Sequence, residues 1–178
     1  MDTRETFWVF MVHNNASFML DVKDIWTSEI DNILTAEGIL PALVFQPIST
    51  VMTSHFTQNG GNALGITAAD GPLTRVSLLT PSAAVRILTF CPVINTSIKW
   101  TNSTYDARVL AAAKNFIDRL VALAKQRGLA HRYIYQNYAT IQQDVFSGYG
   151  QANKARLAAI HKKYDPNNVF TKTAARIP

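Results

Sequence analysis

Residues 133–166 read Tyr-Ile-Tyr-Gln-Asn-Tyr-Ala-Thr-Ile-Gln-Gln-Asp-Val-Phe-Ser-Gly-Tyr-Gly-Gln-Ala-Asn-Lys-Ala-Arg-Leu-Ala-Ala-Ile-His-Lys-Lys-Tyr-Asp-Pro. The opening of this stretch alternates as a strand does, which predicts Tyr133 and Tyr135 on one face and Ile134 and Gln136 on the other. Asn137 continues the tyrosine face where the strand ends. A phenol and a carboxamide projecting side by side at a strand end suit a ligand site. The same aromatics equally suit the core of a β-rich segment, so both readings stand at this point. After a polar turn, Gly148-Tyr149-Gly150 leads into a last helix over about 151–163, with Leu157, Ile160 and Tyr164 as its apolar side and Asp165-Pro166 as its stop. Asn153, in the first helical turn, reads as a residue that satisfies free backbone groups.

Upstream, Asn102 to Thr104 offers caps for a long amphipathic helix. Its stripe is Val109, Leu110, Ala113, Phe116, Ile117, Leu120, Val121 and Leu123, and Gly128 ends it. Residues 6–13, Thr-Phe-Trp-Val-Phe-Met-Val-His, are apolar, aromatic and β-branched and read as a buried strand. Asn14-Asn15 reads as a loop, Asp21 as the cap of a helix carrying Val22, Ile25, Trp26, Ile30, Ile33 and Leu34, and Gly38 as its C-terminal stop. A second strand follows over 39–48, then a short helix over 50–56 and a turn at Asn59-Gly60-Gly61-Asn62. Helices and strands joined by short links around a β-rich middle predict an α+β fold, an antiparallel sheet covered on one face by helices. The 178 residues are enough for one domain with a sizeable core and too few for two large ones.

Nearly half the residues are apolar and only 16% are charged, a globular composition. The net charge of +5 is spread along the chain. Its densest run, Lys162-Lys163 beside Lys154 and Arg156, reads as a solvated helix face, and no basic-aromatic platform points to nucleic acid. No apolar run reaches the length of a membrane span, and Met-Asp-Thr-Arg-Glu-Thr lacks the basic-then-apolar layout of a signal peptide. Cys91 is alone, so no internal disulfide forms. Sequons at Asn15, Asn95 and Asn102 favour a secretory history only mildly. His13, His55, His131 and His161 show no metal-ligand spacing, so no metal is expected. There is no Gly-x-Ser-x-Gly elbow for a nucleophilic serine. Gly60-Gly61 with Gly65 lacks the order and the following helix of a phosphate-cradling loop.

Tyr135-Gln136-Asn137-Tyr138, Ser147-Gly148-Tyr149-Gly150, Asn153, Arg156-Leu157, Lys163-Tyr164-Asp165-Pro166 and Phe170 together resemble the C-terminal segment of the berberine-bridge-enzyme-like FAD-linked oxidoreductases, most closely their fungal branch. Leu43-Val44-Phe45-Gln46-Pro47, Asn59-Gly60-Gly61-Asn62-Ala63-Leu64-Gly65 and Gly71-Pro72-Leu73 resemble the substrate domain of that family, in the same order. The family's flavin-attaching His and Cys have no counterpart here. The resemblance implies FAD as cofactor, a small organic substrate, and a flavin-binding domain or chain as partner. It implies that Tyr135 lies near the flavin ring and accepts a proton as hydride leaves the substrate, with Asn137 and Tyr138 beside the cofactor. A phenol in water titrates near 10, so such duty requires help from its surroundings. Tyr133 and Gln46 are the expected substrate contacts, Gln46 adding a second amide from a neighbouring strand. The alternative is a flavin-independent binding protein or cyclase of secondary metabolism that uses the same pocket, needing only shape and a few hydrogen-bonding groups.

One block departs from the family pattern. Gly71-Pro72-Leu73-Thr74 is separated from Ile94-Asn95-Thr96-Ser97-Ile98-Lys99-Trp100 by an extra run, roughly residues 75–92, without strong turn chemistry of its own. Arg-Val-Ser can encode a GT donor, and Ile-Leu-Thr-Phe-Cys-Pro-Val can encode a branch site and a terminal AG. Two readings stand open here, an intron translated in frame and an ordinary hairpin insertion. Genomic DNA lacking GT and AG at those junctions would exclude the intron.

Overall fold

The computed structural model describes residues 3–76 and 93–170. The expected extra block falls almost wholly outside these residues. The described chain is α+β, as the sequence predicts. The strands are β1 (Arg4–Phe10), β2 (Val12–His13), β3 (Leu40–Ile48), β4 (Leu73–Val76) and β5 (Val93–Trp100). All pairings among them are antiparallel, and they stand in three columns. β1 and β2 form one outer column, broken only at Met11, and β3 forms the other. β5 and β4 lie between them, β5 pairing with β1 and β3, β4 pairing with β2 and β3, and the two meeting each other at Arg75 and Val93.

Side-chain alternation along the first column supplies two cores. Trp8, Phe10 and Val12 point to one face, where they meet Leu43, Ile98 and Trp100 and the helices α1 (Ala16–Ile30) and α3 (Asp106–Gln126). Val9 and Met11 point to the other face, against Leu73, Ile66, Tyr133, Val145 and Tyr149. The strand is thus buried on both sides, which is why residues 6–13 read as a continuous apolar run.

α3 follows its predicted stripe closely. Val109, Ala113, Phe116, Ile117 and Leu120 are buried, and the Trp26 ring of α1 stands edge-on to Phe116 at 5.0 Å. Leu110 departs from the stripe and is 43% exposed. Gly128, at φ +66°, ends the helix in the left-handed region that favours glycine. α1 begins earlier than predicted. Asn15, read as loop, is its cap, with its side-chain oxygen accepting from the Phe18 N–H at 3.0 Å. Asp21 instead lies inside the helix, where its carboxylate pairs with Arg127 at 2.6 Å. Asparagine and aspartate cap equally well, and the Phe18/Val22 pair, four residues apart, needs the longer helix to be buried.

Two further expectations are corrected. The chain leaving α3 joins the outer column only briefly, through the Val12–Ala130 bridge and bonds from His13 N to the Leu129 carbonyl (2.8 Å) and from His131 N to the Met11 carbonyl (3.0 Å). The predicted strand from Tyr133 does not form, and Gln136–Tyr138 is a single 3₁₀ turn. The Tyr133 N–H donates to Nδ1 of His131 at 3.2 Å, a local bond in place of a ladder bond. Nor does alternation separate two faces, since Ile134 packs into the same cluster as Tyr133 and Tyr135. The last helix, α4 (Gln151–Tyr164), forms where predicted, but only Leu157 of its expected apolar side is packed. Ile160 and Tyr164 are exposed, because among the described elements α4 meets chiefly the turn at Phe146–Tyr149.

Phe116→Ala removes a fully buried ring between α1 and α3 and is expected to cost about 3–5 kcal/mol. Leu110→Ala, on the same helix, should cost less than about 1 kcal/mol. Paired urea melts check the contrast, and equal losses would contradict the assigned helix face.

Candidate functional site

The site region is the face of the sheet away from α1 and α3, roofed by residues 131–150. Two glycines let its strands of chain meet at backbone distance. A Cβ on Gly148 would collide with the Arg132 carbonyl, and one on Gly65 (φ +70°) with the Tyr149 carbonyl. Asn153 closes the same corner by donating its amide to the Tyr149 carbonyl at 3.0 Å. The Gly-Tyr-Gly element and Asn153 are therefore architectural, as their composition suggested.

Residue Gln143, which the sequence did not single out, fixes the roof to the sheet. Its amide nitrogen donates to the Val9 carbonyl at 2.6 Å, and its oxygen accepts from the Val9 N–H at 3.2 Å. The same oxygen accepts from the Thr140 N–H at 3.2 Å. One side chain thus stands in for an edge-strand neighbour and satisfies backbone that would otherwise be left without protein partners. Nothing local in the sequence marks this role, because the partner lies 134 positions away.

A second missed anchor is the pair His131–Asp70. Asp70 closes a capping box on Ala68–Asp70, accepting from the Thr67 N–H at 2.7 Å. Thr67-x-x-Asp70 is a legible signature of such a box. The Asp70 carboxylate also lies 3.2 Å from Nε2 of His131. Nδ1 of that ring accepts from Tyr133 N–H, so the proton sits on Nε2 and is donated to Asp70. Burial pushes the His131 imidazole below its ordinary value, and the Asp70 partnership offsets this only in part. Burial raises the Asp70 carboxyl, but the Thr67 N–H, His131 and Arg132 outweigh it and hold it below the ordinary range.

The tyrosines stand in graded exposure. Tyr133 is buried and stacked on Tyr149 at 5.7 Å, and burial raises the Tyr149 phenol. Tyr138 stacks on Phe7 of β1 at 6.0 Å and takes the Tyr135 ring edge-on at 5.4 Å. Tyr135 is half-buried and Asn137 exposed, and the Asn137 amide donates to the Tyr135 phenol oxygen at 2.8 Å. The predicted phenol–carboxamide pair is thus brought together, by the 3₁₀ turn. Gln46 lies on β3 with Val44 and Ile48, on the tyrosine face by alternation. Its side-chain oxygen is buried without a hydrogen-bond partner among the described residues, and no bond there links it to Tyr135. Among the described residues no His, Cys, Asp and Glu cluster could hold a metal, and no helix is long and apolar enough to cross a membrane.

The sequence profile of the family "Berberine and berberine like" matches residues 134–175, which include the Tyr135–Asn137 turn and α4. An FAD-dependent monooxygenase of Fusarium proliferatum is 30% identical over 132 residues, 74% of this chain and 22% of that protein. One from Cochliobolus heterostrophus is 30% identical over 131 residues, with the same coverage of 74% and 22%. One from Aspergillus calidoustus is 29% identical over 176 residues, 95% of this chain and 30% of that protein. The chain thus spans less than a third of the length of these relatives. No solved structure matches it.

The His131–Asp70 anchor predicts a pH dependence. A histidine whose folded value lies below its ordinary 6.5 leaves the unfolded chain binding more protons as pH falls through that value. Stability is therefore full above about pH 6.5 and declines below it. Thermal melts between pH 8 and 5 should show the decline, and His131→Gln should flatten it while lowering the melting temperature throughout. An unchanged slope in the variant would remove His131 from this role.

Proposed function

We propose that this chain, a member of the berberine-bridge-enzyme-like family, supplies the substrate side of an FAD-linked oxidoreductase that takes hydride from a small organic substrate. The observation that carries the reading is the 2.8 Å bond from the Asn137 amide to the Tyr135 phenol oxygen, at the exposed end of an otherwise packed aromatic cluster. The bond fixes where the phenol oxygen sits, and fixed placement is most of what a proton acceptor needs from its scaffold. Tyr135 is the proposed proton acceptor. The exposed Asn137 carboxamide still has an oxygen and a second N–H to offer a polar ring edge, which suits the rim of a flavin. Tyr138 contributes by shape, because Phe7 lies against its ring and Tyr135 meets it edge-on.

Bound FAD would supply the two-electron acceptor, and this chain's residues would orient the substrate, exclude water and hold the proton. Gln46, with its buried unpartnered oxygen, is the proposed acceptor for a substrate hydroxyl or amine N–H. Tyr133 forms the packed floor. That the relatives are described as FAD-dependent monooxygenases supports the cofactor class. The pyrophosphate and adenine of FAD call for a partner domain or chain.

The purified chain, given excess FAD and passed through gel filtration, should retain only a weak flavin absorbance, well below one FAD per chain because the pyrophosphate and adenine lack their partner, and Asn137→Ala should lower it further. In a preparation that turns over substrate, Tyr135→Phe should reduce kcat by about 10²–10⁴ with little change in flavin content. A folded chain that leaves the column colourless, with a melting temperature indifferent to FAD, would count against flavin contact and favour flavin-independent ligand binding.

A further inference from the structure

The pairing registers carry an offset that can be read from the neighbouring column on either side. On β3, Ile48 faces Leu73, Pro47 faces Thr74 and Gln46 faces Arg75. Yet Gln46 also faces Val93, and from there Val44 faces Asn95 and Leu43 faces Thr96. Phe45 likewise faces both Val76 and Ile94, so two positions on β3 have two partners each, 75 and 93 for Gln46 and 76 and 94 for Phe45, and each pair of numbers differs by 18. On the opposite column, Val12 faces Thr74 and Phe10 faces Ile94. Two steps along that column correspond to a jump of 20 in partner number where an antiparallel ladder advances by 2, again an excess of 18.

We propose that residues 75–92 are an in-frame addition of 18 residues to what is otherwise one unbroken central strand. Without them, Leu73-Thr74 runs directly into Val93-Ile94-Asn95-Thr96-Ser97-Ile98-Lys99-Trp100. Every position on the outer columns then keeps a partner: Gln46 keeps Val93 and Phe45 keeps Ile94, while their second partners Arg75 and Val76 leave with the addition. The joined run is rich in Val, Ile and Thr, the composition of a central strand. The addition parts the central column at the rungs occupied by Gln46 and Phe45. An intron translated in frame would add residues at one point and leave both flanks unaltered, which is the pattern the registers show. The inference stands on strand pairing alone and does not depend on the proposed redox role.

A deletion series tests it. Removing residues 75–92 should give a chain that melts cooperatively, with a melting temperature above that of the full chain, because a long closure is replaced by one peptide bond. Removing residues 75–91 slips the strand by one position and turns its side chains to the wrong face, so cooperative melting should be lost. In the full chain, two glycines inserted after residue 84 should leave the melting temperature unchanged, since the flanking registers do not depend on the length between them. The proposal is overturned if the 18-residue deletion is less stable than the full chain, if the 17-residue deletion is equally stable, or if the glycine insertion lowers the melting temperature markedly.

Discussion

The outer column β1–β2 must be buried on both faces and satisfied along its free edge, and the rest of the described chain answers that demand. Trp8, Phe10 and Val12 require a helical layer, which α1 and α3 provide. Val9 and Met11 require a second cover, which the irregular segment 131–150 provides. The edge itself carries backbone groups that water cannot reach once both faces are covered. Leu129, His131 and the Gln143 side chain take them up in turn. Each such bond contributes only about 0.5–1.5 kcal/mol net, but leaving a buried partner unmade costs more, about 1–3 kcal/mol. The segment that bears the tyrosines is therefore held in place by the needs of the strand beneath it.

This explains what the sequence disclosed and what it hid. Periodicity found α3 and the strand at residues 6–13, because their burial is set by residues three, four or two positions apart. It misplaced the start of α1, where Asn15 and Asp21 carry the same capping chemistry and only the Phe18 contact chooses between them. It called for a strand at Tyr133 because aromatic alternation is identical in a strand and in a segment laid flat on a sheet. The difference is a single bond from the Tyr133 N–H to the neighbouring histidine ring. Gln143 and the His131–Asp70 pair were beyond reach, since their partners lie far away in sequence. The pairing of Tyr135 with Asn137 was legible as adjacency, although the backbone that achieves it is a turn.

The same arrangement sets a gradient across the tyrosines that matters for chemistry. Tyr133 and Tyr149 are sealed in the cluster, and burial favours the neutral phenol of Tyr149. Tyr135 stands at the margin, with its oxygen held by an exposed amide. Within one aromatic cluster the packed members supply rigidity, and the marginal member carries the proposed proton acceptor at a fixed position. Rigid support beneath a solvent-facing phenol is what proton transfer at a bound ligand requires.

Parity adds a constraint on the central column. A strand presents alternate residues to opposite faces, so an addition with an odd number of residues retained within the ladder would exchange the two cores. An addition that leaves and re-enters the column at the same rungs escapes that penalty at any length, because neither flank has to move. Leu73 contacts the tyrosine-side core and Ile98 the helical core, and each keeps the face that its own side of the break dictates. The registers on β3 and on β1–β2 agree on the same excess although they are set by different side chains. That agreement is what a single central column, parted at one place, requires of the neighbours on its two sides.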